Sequence, residues 1–183
     1  KKNLPLRYSV IVCLTTAQYS LHGYVISTIQ AQQAVAVKLR FPCANSFISL
    51  CFLYLHQDDD LNGQDLSSLA AQLSPPFITT GDFNAHNVLW NYCDANSRGQ
   101  IIGAFMNFQN RSLLNPESVI ISTHAYKGNT SAIDLTPCKP SLSYLLKWQT
   151  PASLYSSDHF PQIINLDFTI TSPKTKYPNW ITY

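Results

Sequence analysis

Glutamate is almost missing from this chain: among 183 residues, Glu117 is the only one. Charge of either sign is sparse. Charged residues make up 12% of the sequence, about half of the roughly 25% usual in soluble domains. Twelve basic against ten acidic residues leave a net charge of +2, and the basic ones are scattered. Such a balance neither demands nor excludes a nucleic-acid partner. The surface is therefore polar mainly through Ser, Thr, Asn and Gln.

Other absences narrow the class further. The five cysteines (Cys13, Cys43, Cys51, Cys93 and Cys138) form no Cys-x-x-Cys pair, and their number is odd. Several lie in apolar runs, where a thiol behaves as a small hydrophobe. Reduced cysteines in an intracellular protein fit better than a disulfide framework or a zinc site. No apolar run approaches the ~18 residues that a membrane-spanning helix needs, and "KKNLPLRYSV" has no signal-peptide core. There is no internal repeat and no low-complexity segment. The sequence does not begin with Met, so it is expected to start inside a longer polypeptide.

What is present is a chain of strands. "YSVIVCL" (8–14), "HGYVIST" (22–28), "AVAVKLRF" (34–41) and "SFISLCFLYL" (46–55) are β-branched or aromatic runs between polar turns. The period then changes. In 61–76, Leu66, Leu69, Ala70 and Leu73 follow helical spacing, and Pro75–Pro76 end the helix. "FITT" (77–80) reads as a short buried strand. A second helix is expected from about 97 to 110, although Gly99 and Gly103 weaken it. Strands resume at 118–123, 131–137, 144–150 and 162–170, and 171–183 reads as a linker. Many strands with few helices predict an α/β (α+β) fold: a two-sheet β-sandwich flanked by helices, formed by residues 1–170.

Two clusters carry chemistry. In "GDFNAHNVLW", Asp82 and Asn84 follow a buried strand at a spacing of two, so both project to the same side. A carboxylate there can orient or deprotonate a water, and a carboxamide can donate to a negative oxygen. Taken alone, the motif is better explained as a plain Gly-Asp-x-Asn turn. In "SSDHFP", His159 titrates near neutral pH, and Asp158 suits a hard divalent cation. A solvated loop histidine beside a turn aspartate is the bland alternative. Asp134, inside the apolar run "SAIDLTP", is costly unless a partner satisfies it, and a histidine is a natural one. A strand-edge carboxylate facing water is the competing reading. Tyr54 ends a strand, where a phenol can reach a phosphate or simply fill the core edge. The acidic triplet 58–60 reads as a helix-leading loop, His86 as a surface histidine and Trp90 as a structural aromatic.

The order "LYL" (53–55), "GDFNAH" (81–86), "SAIDLT" (131–136), "SDHFPQII" (157–164) resembles the endonuclease/exonuclease/phosphatase superfamily, which includes DNase I and the apurinic endonucleases. Finer details, from "GDFNAHNVLW" to "SDHFP", resemble the endonuclease domain of non-LTR (LINE-type) retrotransposons over about residues 30–168. The resemblance implies a DNase I-like sandwich that hydrolyses a DNA phosphodiester with Mg2+ (or Mn2+), as a monomeric domain. It also implies a reverse transcriptase domain in the same polyprotein and action in the nucleus. By this resemblance His159 meets the reacting phosphate, as base or stabilising charge, and Asp134 orients it. Asp82 handles the attacking water, Asn84 and Tyr54 contact the phosphate, and Asp158 lies near the metal. Thr123 and Ser131 match DNA-facing positions.

The same resemblance exposes a gap. The family's principal metal ligand is a glutamate upstream of the matched part, whereas Glu117 follows the Gly-Asp-Phe-Asn motif. The chain is therefore expected to be N-terminally truncated, without the first strands of a sheet and without that ligand. Weak activity is expected, with an inactive remnant that binds nucleic acid weakly as the alternative. A lipid-phosphatase substrate, as in superfamily cousins, fits the "SAIDLT" details less well.

Overall fold

The computed structural model describes residues 6–12, 29–31, 34–41, 46–90, 92–115, 123–127, 129–154 and 157–168. In chain order the elements are β1 (Leu6–Val12), β2 (Ile29–Ala31), β3 (Ala34–Phe41), β4 (Ser46–Tyr54), α1 (Gly63–Gln72) and β5 (Phe77–Asp82). A 3-10 turn (Val88–Trp90) leads to α2 (Ser97–Phe108), β6 (Ser112–Leu113), β7 (His124–Tyr126), β8 (Asn129–Ser131), β9 (Asp134–Leu135) and β10 (Pro137–Cys138). The last elements are α3 (Pro140–Ser143), β11 (Leu146–Gln149) and β12 (Gln162–Phe168).

Two sheets form the sandwich. The larger has the order β2-β3-β4-β5-β10-β6, with β9 also on β5, and the smaller is β1-β12-β11. β4 shows why the larger sheet is buried on both faces. Ile48 and Leu50 pack with Val37, Leu39, Ile78, Leu146 and Ile164 against the second sheet. The intervening Cys51 and Leu53 face Leu66, Ala70, Ile102 and Met106 of the helices. Period-two projection thus feeds two cores from one apolar run, and full burial of each such side chain is worth about 1.5–3 kcal/mol.

α1 starts at Asn62, whose side chain accepts from the N–H groups of Gln64 and Asp65, and Leu66 and Ala70 are its buried stripe. α2 begins where Asn96 accepts from Gly99 N–H. The glycine that weakened the helix on propensity is needed for packing, since a Cβ at Gly99 would lie 1.8 Å from the His86 carbonyl oxygen. Gly81 is tighter still. Its φ is 148°, and a Cβ would stand 1.8 Å from the Leu53 carbonyl on neighbouring β4. Only glycine lets β4 and β5 pair there.

The expected strands at 34–41, 46–55 and 77–80 and both helices stand close to the observed elements. The run 131–137 does not form one strand: it breaks into the end of β8, then β9 and β10. Pairing changes partner within it, from Ser131 on His124 to Asp134 on Asp82 and Pro137 on Leu113. Residues 22–28, 118–122 and 169–183 of the sequence reading lie outside the described residues. Among the described residues, no helix is long and apolar enough to cross a membrane.

Candidate active site

β5 ends at the centre of the larger sheet, and its last residue is Asp82. The register opposes Asp82 to Tyr54 on parallel β4 and to Asp134 on antiparallel β9. Two carboxylates facing each other across a ladder repel. Burial makes the juxtaposition costlier, since Asp82 is 4% exposed and Asp134 fully enclosed. A cation between them removes the conflict, and the residue in that place is His159. Its Nδ1 lies 2.9 and 3.1 Å from the two Asp134 carboxylate oxygens, and its Nε2 lies 3.9 Å from Asp82 Oδ2.

Asp134 is held from three sides. Its backbone N–H donates to Thr123 Oγ1 at 2.9 Å, and its carbonyl accepts from Asn115 Nδ2 at 2.9 Å. Asn115 Oδ1 also accepts from Thr136 N–H, so one side chain clamps both ends of β9. Asp82 is fixed by the turn that follows it. Its Oδ1 accepts from the Asn84 backbone N–H, and its Oδ2 from Asn84 Nδ2, both at 2.9 Å. Asn84 closes this Asx turn with φ 45°, a left-handed conformation asparagine tolerates.

The electrostatics follow from this packing. Burial pushes the Asp82 carboxyl up to about 6, and the neighbouring Asp134 charge adds to the rise while the Asn84 hydrogen bonds and His159 oppose it. Burial pulls His159 down, but its hydrogen bond and ion pair with Asp134, helped by Asp82 and Asp158, outweigh that and leave it above the ordinary imidazole value. The same packing thus raises both groups, the carboxyl chiefly by burial and the imidazole by its carboxylate neighbours.

The sequence-derived residues divide into groups. Asp82, Asn84, Asp134 and His159 converge. Tyr54 is half exposed at the end of β4, its ring edge-on to His56 with centroids 6.2 Å apart. Asp158 is exposed, 3.8 Å from His124 Nε2. Ser131 hydrogen-bonds the other His124 nitrogen at 3.1 Å. Thr123 differs from its expected DNA-facing place: it has no exposed surface, and its hydroxyl is committed beneath Asp134. Asn84 also differs in detail, because both hydrogens of its amide nitrogen are committed, to Asp82 Oδ2 and to the Leu55 carbonyl.

Sequence reasoning missed His124 and Asn115. His124 forms an isolated antiparallel bridge with His159, and the two rings lie 4.7 Å apart, tilted by 55°. Burial and the His159 charge lower the His124 pKa. Strand alternation held the signal: with Thr123 turned inward, His124 turns to the site. Of the accessory residues, Trp90 is buried and donates to the Ala85 carbonyl, while His86 stacks on Tyr92 at 4.0 Å. Loop 56–60 is pinned by buried Arg98, which donates to the carbonyls of His56, Gln57 and Asp59. The 560 Å³ cavity beside α1 is lined by Leu53, Leu66 and Leu69 and does not touch the site residues. The chemistry sits instead on an open rim. Cys51 and Cys138 are buried, with thiols pushed up to about 12 and about 11, so neither competes as a nucleophile.

Solved structures share this fold. The endonuclease domain of TRAS1, a telomere-specific non-LTR retrotransposon, superposes with a TM-score of 0.66 at 22% identity, covering 76% of this chain and 66% of that domain. The AP endonuclease LMAP from Leishmania major gives 0.56 at 14% identity, covering 75% of this chain and 55% of its own. The chain thus spans less than two thirds of either relative's length. No curated protein sequence matches it. The sequence itself carries the assignment, because a family model described as endonuclease-reverse transcriptase matches residues 48–163, more than half of the chain. The chain belongs to that endonuclease-reverse transcriptase family, on the DNase I-like fold of the endonuclease/exonuclease/phosphatase superfamily.

Proposed function

We propose that the rim of β5 is the hydrolytic centre of a retrotransposon target-nicking endonuclease, acting on a DNA phosphodiester in the nucleus beside a reverse transcriptase domain of the same polyprotein. One observation carries this reading: the His159 imidazole lies between the Asp134 and Asp82 carboxylates at 2.9 and 3.9 Å. Asp82, ionised above about pH 6, takes the proton of the attacking water. Protonated His159 faces the charge that builds on the phosphate oxygens, and Asp134 holds its ring in place. Tyr54 flanks the phosphate path, and Asn84 serves by holding the Asp82 carboxylate in place.

Nucleases of this superfamily generally depend on a divalent metal. When bound, such an ion neutralises phosphate charge. Mg2+ takes oxygen ligands, typically one or two carboxylates with water and substrate. Among the described residues the site offers it little. Both Asp134 oxygens face His159, both Asp82 oxygens accept from Asn84, and Asp158 is the exposed carboxylate beside the two histidines. This donor set of the described residues fits Mg2+ poorly, which favours slow hydrolysis. The same deficiency favours a second reading, an inactive remnant that binds nucleic acid weakly. With a net charge of only +2, little counterion release is available to drive tight DNA binding.

Nicking of supercoiled plasmid in Mg2+ or Mn2+ tests both. Slow conversion to open circles that disappears in His159→Ala supports the endonuclease. Duplex binding at low salt with no turnover at any metal concentration supports the remnant. Nicking that survives His159→Ala overturns the assigned centre, and rapid turnover overturns the metal-deficiency argument.

A further inference from the structure

The donors that fit Mg2+ poorly fit another class of ion well. His124 and His159 stand opposite each other on antiparallel backbone, joined by the isolated bridge. The flanking hydrogen bonds, Ala125 N–H to the Asp158 carbonyl at 2.7 Å and Phe160 N–H to the Thr123 carbonyl at 2.8 Å, lock that register. Asp158, next in sequence, brings a carboxylate to the same rim. One ligand atom from each of the three residues lies within 4.8 Å of the others.

Each ring is oriented through its Nδ1, His159 by the Asp134 carboxylate and His124 by Ser131 Oγ. A carboxylate or hydroxyl holding one ring nitrogen is the arrangement that fixes the tautomer and raises the basicity of a metal-binding imidazole at Nε2. The donors are two imidazoles and one carboxylate. Imidazole suits Zn2+, Cu2+, Ni2+ and Fe2+, whereas Mg2+ and Ca2+ prefer oxygen throughout.

We propose that His124, Asp158 and His159 form a binding site for a transition-metal ion of the Zn2+ class. Bonds of about 2.1 Å set tetrahedral ligand separations near 3.4 Å. His124 Nε2 and Asp158 Oδ2 already stand at 3.8 Å, the 56%-exposed Asp158 side chain can swing onto a shared ion, and small rotations of the two rings supply the rest. Water fills the fourth position. Occupancy takes His159 Nε2 away from the phosphate, so Zn2+ inhibits the hydrolysis proposed above. Inhibition rests on that proposal; binding does not.

Co2+ serves as the spectroscopic probe, titrated into the chelator-treated 183-residue chain. The expected result is one bound ion with visible d–d bands, displaced by Zn2+, and without the near-ultraviolet band of a cysteine ligand. His124→Phe, which keeps a ring of similar bulk, weakens binding at least tenfold. His86→Ala and His56→Ala leave it unchanged. Equal affinity in His124→Phe, or no binding by the parent, overturns the site. Where Mg2+- or Mn2+-supported nicking is measurable, added Zn2+ suppresses it in the parent and not in His124→Phe. Co2+ binding that needs His124, in a chain that never nicks DNA, upholds the site and fells the nuclease reading alone.

Discussion

Two polar clusters hang from β5, two residues apart. At the rim, Asp82, Asp134 and His159 meet in a charged group. Beneath it, Thr80, Thr136 and Gln162 meet inside the sandwich. Thr136 Oγ1 donates to Gln162 Oε1 at 2.7 Å and lies 3.0 Å from Thr80 Oγ1, and Trp148 Nε1 donates to the same Gln162 oxygen at 3.0 Å. Indole nitrogen can only donate, so the carboxamide oxygen is fixed on that side and Nε2 is buried without a partner. The lower cluster is neutral and ties the two sheets together. The upper one places two carboxylates side by side and lifts one of them to about 6. A shift of two residues along β5 thus separates a joint that holds the fold from a centre that strains against it. Perturbed carboxylates of this kind cluster at functional sites.

The comparison can be broken or sharpened by mutation. Gly81→Ala should be the most damaging change, since it drives a Cβ into the Leu53 carbonyl between the two clusters. No cooperatively melting protein is expected, and a soluble, folded variant by circular dichroism would show that the close approach is dispensable. His159→Ala should keep the fold but lower the chain's own nicking rate by about 10²–10⁴-fold, the range of a general acid–base group. Thr136→Val should do the reverse. It removes the shared hydrogen bonds of the lower cluster and costs about 1–3 kcal/mol in denaturant unfolding, with nicking per folded molecule unchanged within about threefold, well below the loss from a catalytic group. A rate as low as that of His159→Ala would mean that the two clusters act as one.

Smaller effects belong to pH. Asp82 and His159 both titrate above their ordinary values in the fold. Each therefore contributes stability at low pH that is lost as pH rises through its folded value. Melting temperature should decline as pH rises from 3.8 to about 6 through the Asp82 window, and again above 6.5 as His159 loses its proton, and Thr136→Val, which changes no charge, should give a parallel curve at lower temperature. Asp134→Asn removes the main partner raising His159, so the imidazole resonance should titrate nearer its ordinary pH. A slope that disappears in Thr136→Val, or an unmoved His159, would contradict the assigned origins of these shifts.

Much of this was legible because it is local. The Asp82–Asn84 spacing, the helical period at Leu66–Leu73 and the apolar run of β4 each lie within one stretch of chain. Asp134 asked for a partner by being charged in an apolar run, and His159 was the candidate at hand. What stayed hidden depends on register between distant segments. The burial of Thr123 beneath Asp134 and the pairing of His124 with His159 follow from which residues lie opposite in three-residue strands. The clamp from Asn115 spans nineteen positions. Strands as short as β9 and β10 leave too few residues to show a period, so the partner switching between 131 and 138 could not be read.

The place of β5 has one further consequence. It is an inner strand, with β4 along one side and β9 and β10 along the other, so its amides should be among the slowest to exchange with solvent. Loosening at the outer ribbons β2 or β1 would reach Asp82 last. The Asp82 carboxylate is mounted on the stiffest member of the framework, and fraying at β2 would leave it in place.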